Sequence, residues 1–180
     1  MPSINWNTYF FDFLKGNSVS LPSTVYFHDE QDIVNIAEKI EYWVNIINKL
    51  DLSKIEIAID RICSAIGKRE DPRDSLIDAV MSWENMFGTH DEVTYRVCTA
   101  ISKLLKNSYE ERVVAKKRLT QLYAKRSRLV HGDTVKKEDI KESSKEAVKT
   151  ALESLSKLLD KGDEYLQLAS EKRSDRIICE

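Results

Sequence analysis

Apolar residues in this chain return every three or four positions, and little interrupts them. Ile33, Ile36, Ile40, Trp43 and Ile47 form one such series, and Leu52, Ile55, Ile59, Ile62 and Ile66 form the next. That period marks one face of an α-helix, which turns through about 100° per residue. A strand needs strict alternation instead, and no segment alternates convincingly. With five glycines and three prolines in 180 residues, the chain also lacks the turn residues of an all-β sandwich. The reading is an all-α fold, a bundle of five to six helices with short connections.

Start and stop signals divide the bundle. Asp29 opens the first helical stretch, and Asp51 is expected to cap the second. Asp71 followed by Pro72 combines a cap with a first-turn proline, so a third helix runs from there towards Phe87 and stops at Gly88. Asp91 opens a fourth, which runs to about Lys106. Ser108 opens a fifth, which ends at Gly132. A sixth spans Lys137 to Leu159, with Val148, Ala151, Leu152, Leu155 and Leu158 facing inward. Residues 1–28 are irregular, and their aromatics Trp6, Tyr9, Phe10, Phe11 and Phe13 are expected to pack on the bundle. Residues 29–160 make up the helical domain. Residues 161–180 form a polar tail, and its end, SEKRSDRIICE, is expected to fray.

The totals narrow the setting. Cys63, Cys98 and Cys179 are odd in number and widely spaced, which fits a reducing compartment better than a disulfide framework. No stretch approaches the roughly 20 apolar residues that a membrane span needs. The aromatic start carries Asp12 and no basic n-region, so it is a poor signal peptide. A cytoplasmic protein without membrane association is expected. The histidines and cysteines have no metal-ligand spacing, and there is no phosphate-cradling glycine loop, so neither a metal nor a cofactor is expected.

The net charge of −2 conceals an asymmetry. From Glu111 to Lys137, nine cations face only Glu111 and Asp133, so that window carries +7 and the remainder −9. A basic stripe on an acidic body suits phosphate, and it equally suits a solvated helix face.

Two charges fall on faces that should be buried. In the third helix, Ile77, Val80, Trp83 and Phe87 define an inner arc that includes Glu84. In the fifth, Leu119, Leu122 and Leu129 define one that includes Arg126. An unpaired charge there is costly, so Glu84 is expected to accept hydrogen bonds from Arg126. His131 follows Arg126 by five residues, about 140° around an ideal helix. It immediately precedes Gly132, a C-terminal glycine that lets the helix end, so local unwinding is needed before the two side chains can meet.

Arg126-Ser-Arg-Leu-Val-His131 has an Arg-x4-His spacing. Within LYAKRSRLVHG, and after the upstream DSLIDAVMSWENMFG, it resembles the Apea-like branch of the HEPN superfamily. In that branch a helix bearing a glutamate among hydrophobic residues precedes a helix ending Y-x-x-R-S-x-x-V-H-G. Trp83–Phe87 and Tyr123–Gly132 occupy those places, and the resemblance covers about residues 70–160. It implies a HEPN-like helical bundle, a homodimer with a composite active site at the interface, and in many members a metal-independent endoribonuclease of toxin or antiviral-defence systems. Other members are non-catalytic modules that bind RNA or a protein. Many active members carry Asn, Asp or His directly after the arginine, where this chain has Ser127.

Metal-free RNA cleavage uses the substrate's 2′-hydroxyl as nucleophile, and needs a base, an acid and a cation for the phosphorane. The imidazole of His131 is a side chain suited to proton transfer, whereas Arg126 offers a permanent planar fork for phosphate. Glu84, Ser127 and Tyr123 are the supporting candidates. Lys125, Arg128, Lys136 and Lys137 are candidates for holding the RNA backbone. A second copy would supply a second histidine. Three readings follow: a HEPN-type endoribonuclease, a non-catalytic HEPN module binding RNA or a partner such as an antitoxin, and a structural domain of a larger protein.

Overall fold

Trp83 is completely buried, on a helix that packs against most of the other described helices. The computed structural model describes residues 48–132 and 137–180, together with Glu41, Val44 and Asn45. The chain divides into two compact units, Met1–Leu50 and Asp51–Glu180. The first expected helix and the packing of residues 1–28 lie outside the described residues.

In the second unit the helices are α1 (Glu56–Cys63), extended by a π-helical turn (Ser64–Lys68), α2 (Pro72–Phe87), α3 (Val93–Leu105), α4 (Tyr109–Val130), α5 (Lys137–Lys161), α6 (Asp163–Leu166) and α7 (Ser170–Cys179). There is no strand among the described residues. The fold is an all-α bundle. Helix α2 packs against α1, α3, α4, α5 and α7, while α4 rests mainly on α3 and α2.

Local signals act as expected in two places. The Asp71 side chain accepts the Arg73 N–H at 2.9 Å, with Pro72 in the first turn of α2. Ser108 and Glu111 form a reciprocal capping box, with N–H to oxygen distances of 3.2 and 3.1 Å. Elsewhere tertiary contacts replace the local cap. Asp51 does not cap α1, because its carboxylate turns onto the Ser53 N–H at 2.9 Å. Instead Asn85, reaching across from α2, accepts the Ala58 N–H at 3.1 Å and satisfies a first-turn donor of α1. Helix α3 starts at Val93 rather than at Asp91, preceded by Glu92 in the left-handed conformation (φ 49°) and with no side-chain cap.

The central position of α2 also changes which side chains it buries. Ile77, expected inside, shares the half-buried side with Met81 and Glu84, whereas Leu76, Ala79, Val80, Trp83, Met86 and Phe87 are fully buried. The acid that α2 truly buries is Asp78, only 2% exposed. Arg61 reaches it at 2.8 Å and Arg69 at 2.6 Å, so each carboxylate oxygen has a cation. On α4, Leu119 and Leu122 are buried, but Leu129 is half-buried.

The tail does not fray. Helix α7 packs on α2 and α3 and buries Ser174 and Ile177. Arg173 is completely buried. It donates through Nε to the Tyr165 carbonyl at 2.9 Å, through Nη1 to Met86 at 2.8 Å, and through Nη2 to Leu166 at 2.9 Å and Leu168 at 2.7 Å. Met86 and Leu166 stand at the C-terminal ends of α2 and α6, where carbonyls lack intrahelical partners and the helix dipole is negative. A single guanidinium therefore ties two helix ends to α7. Burial lowers its pKa to about 10, which still leaves it charged at neutral pH.

Candidate functional site

Three polar side chains from α2 and α4 meet where the two helices pack. Glu84 stands in the last turn of α2. Tyr123 and Arg126, three residues apart, share a face of α4. The Tyr123 hydroxyl donates a hydrogen bond to Glu84 Oε1, and Arg126 Nη2 donates to Glu84 Oε2 at 3.3 Å. The expected Glu84–Arg126 pair is therefore present, with Tyr123 as its third member. Both charged groups are part-buried, the Arg126 side chain 21% exposed and that of Glu84 27%.

The two arms of this contact are unequal. Arg126 holds Glu84 by one long bond, and its buried Nε has no hydrogen-bond partner among the described residues. A buried donor left unpaired costs about 1–3 kcal/mol. The guanidinium carbon lies 6.0 Å from the Tyr123 ring centroid, at the outer limit of a cation–π contact. Burial, and then the hydrogen bond to the Glu84 carboxylate, push the Tyr123 phenol well above its ordinary range. Tyr123 is thus a fixed hydrogen donor at neutral pH.

The sequence reading missed a fourth participant. Thr94, in the first turn of α3, lies near the Tyr123 hydroxyl and offsets a small part of the rise in its pKa. Nothing in the spacing of α3 marks Thr94, because which turn of α3 meets α4 is set by helix crossing. Gly88, expected as the stop of α2, also stands against the site. Its N–H donates to the Glu84 carbonyl at 2.6 Å, and a Cβ there would stand 2.3 Å from that oxygen. Only glycine lets the chain leave α2 directly beneath Glu84.

His131 sits apart from this group within one chain. Helix α4 stays regular to its end, and the His131 N–H donates to the Ser127 carbonyl at 3.1 Å. The unwinding that would bring His131 to Arg126 is not present. His131 is the exposed C-cap of α4, followed by Gly132 at φ 85°. Ser127 is half-buried.

The basic stripe is largely laced to its neighbours. Arg118 forms a fork with Glu146 of α5, with bonds of 2.6 to 2.9 Å, and Lys125 reaches Ser143 of α5 at 2.8 Å. Lys116 lies 3.4 Å over the Tyr95 ring, and Arg112 donates to the Lys106 carbonyl at 2.9 Å. Arg128 is exposed in the last turn of α4. Lys136 lies outside the described residues, as does the side chain of Lys137, which opens α5.

Other chemistry finds little footing among the described residues. No three His, Cys, Asp or Glu side chains converge as metal ligands there, and no helix is long and apolar enough to cross a membrane. Burial pushes the Cys98 thiol up to about 11, which makes it a poor nucleophile. No protein-family model, curated protein or solved structure matches the chain.

Proposed function

We propose that this protein is a HEPN-type endoribonuclease, a toxin or antiviral-defence effector that cleaves RNA by attack of its 2′-hydroxyl on the adjacent phosphate. The products are a 2′,3′-cyclic phosphate and a 5′-hydroxyl. The observation that carries the reading is the half-paired Arg126, held by one bond to Glu84 beside Tyr123, five residues before an exposed histidine at a helix end. Arg126 binds the phosphate, and His131 moves protons.

Because Arg126 and His131 leave a regular helix about 140° apart, the reading needs a second chain to complete the site. The outward face of α4 suits a two-fold partner. It exposes Tyr109, Val113 and Val114 beside Glu110 at one end, and Val130, Arg128 and His131 at the other. To set His131 of one copy beside Arg126 of the other, the C-terminal ends of the two α4 helices must meet across the two-fold axis, where Val130, Arg128 and His131 are exposed. Light scattering tests this point. A species of twice 20.8 kDa is expected, and a 20.8 kDa species alone across micromolar concentrations sinks the composite site.

The decisive assay incubates the protein with total RNA in EDTA, beside His131→Ala. Chelator-resistant cleavage lost in the variant is expected, and equal cleavage in both would remove His131 from the chemistry. The separation of His131 from Arg126 within one chain favours a second reading, a non-catalytic HEPN module that binds RNA or a partner protein. It predicts RNA or protein binding with no cleavage in either sample.

A further inference from the structure

A carboxylate facing an arginine ordinarily closes a two-bond fork, with both oxygens on parallel N–H donors. Arg118 and Glu146 do so in this molecule. Glu84 and Arg126 do not, although they are less exposed than that pair. Glu84 Oε1 is hydrogen-bonded to Tyr123, Arg126 donates only to Oε2, at 3.3 Å, and Nε stays without a partner among the described residues. What distinguishes Glu84 from Glu146 is the phenol hydrogen-bonded to its Oε1, which draws that oxygen towards Tyr123.

We propose that Tyr123 is the positioning residue that keeps Arg126 available to an oxyanion of the phosphate class, by preventing Glu84 from closing on it. Glu84 is the competitor of that oxyanion for the same guanidinium. A lone anion must displace it, whereas a polyanion held at several cations of the same surface does so with help from its other contacts. Glu84 therefore selects a phosphate within a chain over free phosphate. The inference rests on reading Arg126 as the phosphate-binding residue.

The two positions predict effects of opposite sign, which a loss of packing would not produce. Inorganic phosphate is titrated calorimetrically into the full chain, in phosphate-free buffer, with circular dichroism melts confirming that each variant is folded. Glu84→Gln keeps an acceptor for Tyr123 but removes the competing charge, so phosphate should bind about tenfold more tightly, equivalent to about 1.4 kcal/mol. That gain should vanish when Arg126→Ala is added. Tyr123→Phe frees the second Glu84 oxygen to complete the fork, so phosphate should bind more weakly than to the natural chain. Phosphate affinity unchanged in Glu84→Gln, or shifted in the same direction by both variants, overturns the proposal. Should Tyr123→Phe not fold, Glu84→Gln with and without Arg126→Ala decides the matter. A parallel titration with a short single-stranded RNA separates the two claims. Phosphate results as expected without RNA binding uphold the role of Tyr123 and defeat the ribonuclease reading. RNA cleavage without the phosphate shifts does the reverse.

Discussion

Tyr123 and Glu84, 39 residues apart in the chain, share a hydrogen bond at one carboxylate oxygen, while Arg126 donates to the other. This contact fastens α4 to α2 and also weakens the ion pair beside it. Removing the carboxylate strands both partners. Glu84→Ala should destabilise the protein by about 2 kcal/mol, because the phenol and the guanidinium lose their acceptor in a part-buried site. Glu84→Gln should lose less. Urea denaturation compares them, and an unchanged midpoint in Glu84→Ala would mean that Glu84 holds nothing.

The same contact has a pH signature. Folding raises the Tyr123 pKa, first through burial and then through Glu84. Its stabilisation is complete below the unfolded phenol's value of about 10 and is lost as the pH rises above that. The stability gap between the natural chain and Tyr123→Phe should therefore be widest near pH 8. It should narrow by roughly 1 kcal/mol by pH 11. Denaturation curves at the two pH values, for both proteins, measure it, and a constant gap would contradict the burial of the phenol.

Arg173 should be among the least replaceable residues. Arg173→Ala leaves four carbonyls without their donor and opens a cavity under α7, at a cost of about 4 kcal/mol. Arg173→Lys should recover little, since one ammonium cannot span α2, α6 and the turn after it. Proteolysis read by mass spectrometry should show cleavage within residues 163–180 in the variants and protection in the natural chain.

Gly88→Ala should destabilise by about 2 kcal/mol, because the new methyl meets the Glu84 carbonyl at 2.3 Å. The effect is steric and arises in the folded state. It should therefore appear as faster unfolding in stopped-flow measurements, with a smaller change in the refolding rate.

Much of the site was legible before any contact was known. Glu84 and Arg126 each stand where a helical face turns inward, and two opposite charges in that position call for one another. What the period could not reveal was how deep each would lie. Helix α2 is enclosed on most of its surface, so Asp78 is the deeply buried acid, and Glu84 shares the half-buried side with Ile77. The tail misled for a related reason. SEKRSDRIICE has the composition of a solvated end, but Arg173 within it is buried with its donors on backbone carbonyls, and carbonyls leave no mark in a sequence.

By itself the sequence determined the helical class, the starts of α2 and α4 at Asp71 and Ser108, and the demand that Glu84 find a cation. These rest on interactions within a few residues, where periodicity and side-chain chemistry suffice. Only the tertiary structure decided that Asn85 caps α1, that Arg173 closes the bundle, and that Tyr123 stands between Glu84 and a full ion pair. Each depends on how one helix is rotated and crossed against another. That choice is made by packing over the whole core, and no single segment encodes it.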